Sequence, residues 1–101
     1  MAPWRSDAHL RDHFRRHGWK LGCQTEQEYD TSAQATLVSG SYFRYYDETS
    51  EEYRIGCYDR RTGRFVVHLD DSDADEMVSH FPCDERYVRR LPDNNYDDDG
   101  V

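Results

Sequence analysis

Three histidines recur at every fourth position near the start of the chain, at His9, His13 and His17. A helix would place them on one stripe. Imidazole titrates near neutral pH, so such side chains can serve as acid or base in catalysis. The same spacing occurs in zinc sites, but here no Glu lies inside the motif and the cysteines are far away in sequence, so we expect no metal. A third interpretation is a solvated helix face with one histidine packed on the sheet.

Cleavage of RNA by its own 2′-hydroxyl requires groups that this chain contains. A base must take the proton of the 2′-hydroxyl, an acid must protonate the departing 5′-oxygen, and a cation must balance the charge of the phosphorane. Histidine suits both proton roles, and arginine binds phosphate with a fixed fork of N–H groups. Hydroxyls of Ser, Thr or Tyr can donate to the non-bridging oxygens. Composition alone does not bring these groups together, so the elements that carry them must be considered.

The first forty residues have the pattern of two helices. Asp7–His17 has apolar residues at helical spacing, and Ser6 is a suitable N-cap. Gly18 is expected to end this helix in the left-handed conformation. A Thr-x-x-Glu capping box at residues 25–28 opens a second helix over residues 26–38. The expected buried positions of this second helix are Tyr29, Ala33, Thr36 and Leu37.

From residue 41 the hydrophobic period changes to two, which indicates strands. Short polar turns separate them, and connections this short require antiparallel neighbours. We therefore predict an α+β domain in which two N-terminal helices pack on one face of a four- to five-stranded antiparallel meander sheet. The predicted strands are Ser41–Asp47, Tyr53–Asp59, Arg64–Leu69, Asp75–Phe81 and a short edge strand, Arg86–Leu91. In the fourth strand, Met77, Ser79 and Phe81 are predicted to share one face, opposite Val78 and His80.

Composition and charge limit the class of protein. A chain of 101 residues forms one domain, which we place at residues 5–92, with an acidic flexible tail over residues 93–101. The net charge of −8 argues against a broad basic nucleic-acid surface, yet five of the 13 basic residues lie within residues 1–22. Such a local basic stripe can hold a phosphate backbone. Three cysteines without a CxxC motif indicate reduced thiols. One pair could form a disulfide if the protein is exported. No stretch is apolar enough for a membrane helix.

Two blocks of motifs resemble a known family. His13–Gly22 and Tyr29–Ala33 resemble the helical opening H-x-x-x-H-x-x-x-x-G … Y-x-x-x-A of toxin domains in the barnase–EndoU–colicin–RelE (BECR) ribonuclease superfamily. Cys57–Val67, Met77–Pro82 and Tyr87 resemble the strand block R-Y-D-x-x-T-x-x-F-x-V … I-x-T-x-F … Y of the same family. The motifs occur in the family's order over most of the chain. Such domains form the tips of contact-dependent inhibition and other polymorphic toxins.

The resemblance implies a metal-independent endoribonuclease without a cofactor, which cleaves tRNA or another RNA and leaves a 2′,3′-cyclic phosphate. By position, His17 is the first expected acid or base and His13 the second. Ser79 stands where the family usually has Thr, and Tyr87 matches the tyrosine of its last strand. Because Cys57 stands where an Arg commonly precedes Tyr-Asp, another arginine would have to bind the phosphate.

The expected site residues follow from these matches and from the charge pattern. The expected catalytic residues are His13, His17, Arg54, Ser79 and Tyr87, with Arg60 or Arg64 as alternatives to Arg54. His68 and His80 are open either as further members of the site or as exposed strand histidines. The expected RNA-binding residues are Arg15, Arg16, Lys20 and Arg60.

A toxin of this class implies a cognate immunity protein or antitoxin, because a free nuclease would poison its host. The chain is expected to be a monomer without a membrane partner, acting in the cytoplasm of a target or host cell, alone or as part of a larger secreted toxin. The alternative hypothesis is a non-catalytic acidic protein-interaction module, of phage or plasmid type, that retains the same fold. The net charge of −8 and the departure at Cys57 favour this alternative.

Overall fold

The computed structural model describes residues 2–70 and 75–96. Residues 71–74, and residues 97–101 of the predicted tail, lie outside these ranges. Three helices and four strands are present. The helices are α1 (Asp7–His17), α2 (Glu26–Ser39) and α3 (Glu85–Arg89), with a 3₁₀ helix at Gly18–Leu21, and the strands are β1 (Ser41–Asp47), β2 (Glu52–Asp59), β3 (Arg64–Leu69) and β4 (Met77–Pro82).

The sheet is an antiparallel meander in the order β1-β2-β3-β4. This confirms the predicted α+β class and the strand order. The bounds of β1 and β3 are as predicted, whereas β4 begins at Met77 rather than at residue 75. The predicted strand Arg86–Leu91 is wrong, because α3 forms there instead. The carboxylate of Asp84 accepts the backbone N–H of Tyr87 at 2.9 Å and so caps this helix.

An irregularity between Val67 and His68 changes the faces of β4. Val67 pairs with Ser79 and His68 pairs with Met77, so Val78 is an extra residue on β4. Met77 is therefore buried against α2, while Ser79 shares the opposite face with Val67. The prediction that Met77 lies on the same face as Ser79 is wrong for this reason.

The predicted bounds of α1 are confirmed, and Ser6 Oγ accepts the backbone N–H of His9 at 3.0 Å. Gly18 does not adopt the left-handed conformation as predicted, because the chain continues from it into the 3₁₀ helix with φ −58°. The left-handed residue is Gly22, at φ 74°. Gly18 is instead required by space, since a Cβ there would lie 2.6 Å from the ring of Phe14.

Helix α2 is capped as its sequence predicts. Thr25 Oγ1 accepts the N–H of Glu28 at 3.1 Å, and the carboxylate of Glu28 accepts the N–H of Gln24 at 2.8 Å. Leu37, predicted as buried, is only partly so. The four buried residues of the helix are Tyr29, Ser32, Ala33 and Thr36.

Each face of the sheet has its own apolar cluster. Helix α2 packs on one face, and α1 packs beside it against the edge strand β4. The α2 face contains Ala33, Cys57, Val66 and Met77. Helix α3 and the C-terminal segment cover part of the opposite face, which contains Phe43, Tyr45, Tyr58, Phe65, Val67 and Val88.

Segments near both ends of the chain pair with the two edge strands. Met77 of β4 exchanges backbone hydrogen bonds with Pro3 and Arg5, at 2.8 and 3.0 Å. On β1, Arg44 exchanges two hydrogen bonds with Asn95, at 2.7 and 3.1 Å. Residues 93–96, assigned to the tail from sequence, thus include residues packed on the domain, and Tyr96 contacts the ring of Phe43.

The ring packing on the face of the sheet opposite α2 depends on Gly56 of β2. The rings of Phe43 and Phe65 stack with centroids 5.8 Å apart, and a Cβ at Gly56 would lie 2.7 Å from each of them. We expect Gly56→Ala to lower the free energy of unfolding by about 1–3 kcal/mol, because the two rings must move apart. Urea denaturation measures this change, with Ser41→Ala at an exposed position of β1 as control. Equal stability of the two variants would contradict the packing.

Candidate active site between α1 and β4

The histidine stripe of α1 meets β4 at one hydrogen bond. His13 Nδ1 lies 3.2 Å from Ser79 Oγ, although 66 residues separate the two in sequence. The stripe itself is continuous, because the His13 ring lies 5.2 Å from that of His9 and 5.7 Å from that of His17. Two of the expected catalytic residues, His13 and Ser79, are thus in direct contact.

Arg16 fixes the protonation pattern of this pair. Its Nη2 lies 3.1 Å from His13 Nε2 and 3.4 Å from Nδ1. A guanidinium can only donate, so we assign the nearer nitrogen, Nε2, as its acceptor, which places the proton of the neutral ring on Nδ1. His13 then donates to Ser79 Oγ. The hydroxyl proton of Ser79 remains available for a ligand.

The surroundings of His13 favour its neutral form. Burial is the largest cause that lowers the pKa of His13 from 6.5 to about 4. The positive charge of Arg16 acts in the same direction, and the nearby Asp12 offsets only part of the effect. Arg16 also forms an ion pair with Asp12 at 3.1 Å. At neutral pH the imidazole is therefore unprotonated at Nε2 and can accept a proton there.

His17 lies one turn further along α1, against Phe81 of β4. Its ring centroid is 5.4 Å from that of Phe81. His17 Nδ1 is buried and has no hydrogen-bond partner among the described residues. Burial lowers the pKa of His17, and the charges of Arg16 and Lys20 act in the same direction.

Tyr87 reaches the same face from α3 rather than from a strand. Its ring packs edge-on against Phe81 at 5.8 Å, so Phe81 lies between His17 and Tyr87. Burial raises the pKa of Tyr87, which keeps the phenol protonated at neutral pH. Tyr87 is 43% exposed, so part of its surface remains accessible to a ligand.

Arg54 lies on this face of the sheet but is already neutralised. Residues that pair across strands share a face, so Gly56, Val67 and Ser79 lie on one face of the sheet. Arg54 is two residues from Gly56 on β2 and therefore lies on the same face. Arg54 is 6% exposed, and its guanidinium lies 3.8 Å from Asp47 and 3.1 Å from Glu52. The structure therefore does not present it as a free phosphate ligand.

The predicted RNA-binding residues occupy two places. Arg15, Arg16 and Lys20 are exposed at the end of α1 and on the 3₁₀ helix that follows. Arg60 lies in the turn after β2, where it bonds Glu85 of α3. Arg60 therefore belongs to a different part of the surface from the other three.

Cys57 and the alternative site residues Arg64, His68 and His80 lie on the α2 side of the sheet. Cys57 is buried under α2, with Sγ 3.4 Å from the carbonyl of Thr36. His80 is fully buried, and Ser32 Oγ lies 2.9 Å from its Nε2. Arg64 donates to the same Ser32 oxygen at 2.6 Å. Cys57, His80 and Arg64 thus serve the packing of α2 on the sheet, and His68, also buried, pairs with Met77 on that side.

Sequence reasoning placed Arg16 in RNA binding but missed its contact with His13, which its i, i+3 spacing could have indicated. It also missed Phe81 as the ring that joins His17 to Tyr87. That contact had no local signal, because it depends on how α1 and α3 meet β4.

Within residues 2–70 and 75–96, no three His, Cys, Asp or Glu side chains are arranged to hold a metal ion. All three cysteines are free thiols. No helix in the described part of the chain is long and apolar enough to span a membrane. A surface depression of about 480 Å³ lies at the start of α2, lined by Thr25, Gln27, Glu28 and Thr31, and contains none of the predicted site residues.

Compared with protein-family models, with curated proteins and with solved structures, the chain matches none of them. Membership of the BECR superfamily therefore remains a hypothesis based on the sequence motifs.

The electrostatic coupling of Arg16 to His13 can be measured directly. We expect His13 to titrate near pH 4 in NMR spectra of the imidazole protons. Arg16→Gln should raise this pKa, because a positive charge is removed, but not to the usual 6.5, because burial persists. Arg15→Gln is the matched control, since Arg15 is not among the charges that act on His13. An equal pKa in both variants would contradict the assigned geometry.

Proposed function

We propose that this chain is a metal-independent endoribonuclease that cleaves RNA through the 2′-hydroxyl of the substrate. The observation that supports the proposal best is the contact of His13 with Ser79 between α1 and β4, 3.2 Å long and adjacent to Arg16. It combines a neutral imidazole, a hydroxyl with a free proton and an exposed cation. These are the groups that the reaction requires.

His13 is the proposed base. Its Nε2 accepts an N–H from Arg16, whose side chain is exposed and therefore able to turn away. A substrate 2′-hydroxyl takes the place of that N–H and transfers its proton to Nε2. The 2′-oxygen then forms a bond to phosphorus, and the bond from phosphorus to the 5′-oxygen breaks.

His17 is the proposed acid. A phosphodiester near the ring raises the pKa of its imidazole, because a negative charge favours the protonated form. The 5′-oxygen takes the Nε2 proton as it leaves. The products are a 2′,3′-cyclic phosphate and a 5′-hydroxyl, so atoms and charge balance without a metal or an added cofactor.

Two further groups stabilise the phosphorane in this proposal. Arg16, released from Nε2, provides positive charge, and the hydroxyl of Ser79 donates to a non-bridging oxygen. Tyr87, protonated and beside Phe81, is placed to donate a second hydrogen bond. The substrate class is RNA, with tRNA as the expected substrate, and a cognate immunity protein or antitoxin is the expected partner.

A second candidate function is a non-catalytic acidic interaction module with the same fold. The specific observation in its favour is the state of Arg54, which is buried and paired with Asp47 and Glu52 instead of being open to phosphate. The net charge of −8 points in the same direction. The two hypotheses differ in whether RNA is cleaved.

The first test is incubation of purified protein with total tRNA in EDTA. We expect discrete fragments that end in 2′,3′-cyclic phosphate. Removal of a general base costs about 10²–10⁴-fold in rate, and loss of one donor to the developing anion about 10²–10³-fold. His13→Ala and Ser79→Ala should therefore each lose activity on those scales.

Two matched variants serve as controls for this assay. His68→Gln removes a histidine that pairs with Met77 on the α2 side of the sheet, and Ser41→Ala removes an exposed serine of β1. Both should cleave like the wild type once circular dichroism shows that they are folded. Intact RNA at high protein concentration would rule out the nuclease and favour the interaction module.

The pH profile tests the assignment of acid and base. The base is lost when His13 becomes protonated, below about pH 4, and the acid is lost above the pKa of His17, which lies below 6.5. We expect the pH dependence of kcat/KM to peak between these limits, on the acid side of neutrality. His17→Gln should remove the alkaline limb. A wild-type optimum above neutral pH would assign the acid role to another group, such as Tyr87.

A further inference from the structure

Trp19 is a large aromatic side chain left in solvent beside the histidine stripe. Its side chain is 73% exposed, and it lies two residues after His17 in the 3₁₀ helix. The other tryptophan, Trp4, stacks on Tyr29 with ring centroids 5.6 Å apart. Burial of an aromatic ring contributes substantially to stability. Trp19 therefore lacks the stabilising free energy of ring burial that Trp4 contributes.

The backbone holds Trp19 in this exposed position. Gly18 is buried against Phe14, and the N–H of Cys23 donates to the carbonyl of Gly18 at 2.9 Å. The N–H of Gly22 donates to the carbonyl of Trp19 at 3.2 Å, and its positive φ ends the turn. The ring is thus presented by a fixed turn, which reduces the entropy lost when a ligand stacks on it.

The charges around Trp19 are positive. Lys20 Nζ lies 5.7 Å from the centroid of the Trp19 ring. Within residues 2–70 and 75–96, neither Lys20 nor Arg15 has a carboxylate within ion-pair distance. The charge of Lys20 also reaches His17, whose pKa it lowers. The ring therefore lies beside a small cationic surface that is electrostatically coupled to the proposed site.

We propose that Trp19 and Lys20 form a subsite for a nucleotide with an unpaired base, adjacent to the phosphate that is cleaved. The base stacks on the Trp19 ring, and Lys20 contacts the backbone phosphate. A stacking ring beside a cationic groove is how single-stranded nucleic acid is held without base specificity. This inference rests on the proposed function and narrows its substrate to single-stranded segments or loops of RNA.

A protein partner at this position is the less favoured occupant. Protein interfaces are depleted in lysine, and their energetic centres are apolar and desolvated. Here Lys20 lies against the ring, and its charge complements a phosphate backbone. We therefore commit to RNA, and the experiment below includes the outcome in which the surface does not bind it.

The test is a fluorescence titration with a single-stranded 2′-O-methyl RNA octamer, which cannot be cleaved because it lacks the nucleophile. We expect the octamer to quench tryptophan emission of the wild type and of Trp4→Phe, but not of Trp19→Phe. Trp19→Ala should weaken binding roughly 5- to 100-fold, as expected for one stacked base. Trp19→Tyr should recover part of the affinity. Lys20→Gln should reduce the slope of log Kd against log salt by about 0.7.

The controls separate this proposal from the proposed function. Quenching by the octamer but not by a duplex of the same sequence supports the subsite, whether or not tRNA is cleaved. Cleavage of tRNA with no quenching, and equal activity in Trp19→Ala, would overturn the subsite and leave the nuclease intact. Neither cleavage nor quenching would reject both and favour a protein-binding role for this surface. Trp19 is exposed, so these variants should fold, and their thermal unfolding checks it.

Discussion

The position of both N-terminal helices on the sheet depends on the buried imidazole of His80. Its Nδ1 donates to the carbonyl of Phe65 at 3.0 Å, and its Nε2 accepts from Ser32 of α2 at 2.9 Å. The hydroxyl of Tyr29 donates to the carbonyl of His80. Burial lowers the pKa of His80 to about 4, so the ring is neutral at pH 7 and both bonds can form. α1 then packs on Tyr29 through Phe14. The hydrogen bonds of His80 thus position α1, and thereby its His13, against Ser79, the residue next to His80 on β4.

Because side chains alternate along β4, this one strand both supports α2 and presents residues of the proposed active site. His80 points to α2 and supports the fold, while its neighbours Ser79 and Phe81 point to the opposite side and meet α1 and α3. The extra residue Val78 allows Met77 to be buried against α2 without reversing the face of Ser79. A strand without this irregularity would place Met77 on the same face as Ser79. The proposed chemistry therefore depends on a backbone feature that pairs β4 with β3, and not only on the identity of its residues.

Local patterns were sufficient for most of the fold. Ser6 and the Thr25 capping box predict α1 and α2, and the change of period to two predicts the meander. The helix α3 was missed because Arg86–Leu91 is short and follows a series of strands, so that the cap at Asp84 was not weighed against a fifth strand. The irregularity in β4 could not be predicted, since it exists only in the pairing with β3.

For the site, the histidine stripe was visible in sequence, but its partner 66 residues away was assigned only through a family resemblance. The burial of Arg54 depends on the hairpin that places Asp47 opposite Glu52.

An acidic chain can present a site for a polyanion when its charges are separated by more than the screening length. The molecule measures 35 by 28 by 23 Å, and at 0.1 M salt the Debye length is about 10 Å. Carboxylates on distant surfaces are therefore largely screened at α1, where the nearby charges of Arg15, Arg16 and Lys20 dominate. Local carboxylates are also present, since Asp7 lies in the first turn of α1 and Asp12 holds the guanidinium of Arg16 at 3.1 Å. Arg16 thus has three competing partners in the proposal: Asp12, the Nε2 of His13 and an incoming phosphate. Because a doubly coordinated phosphate interacts with the guanidinium more strongly than a neutral imidazole does, substrate binding itself would release Nε2 for its role as base.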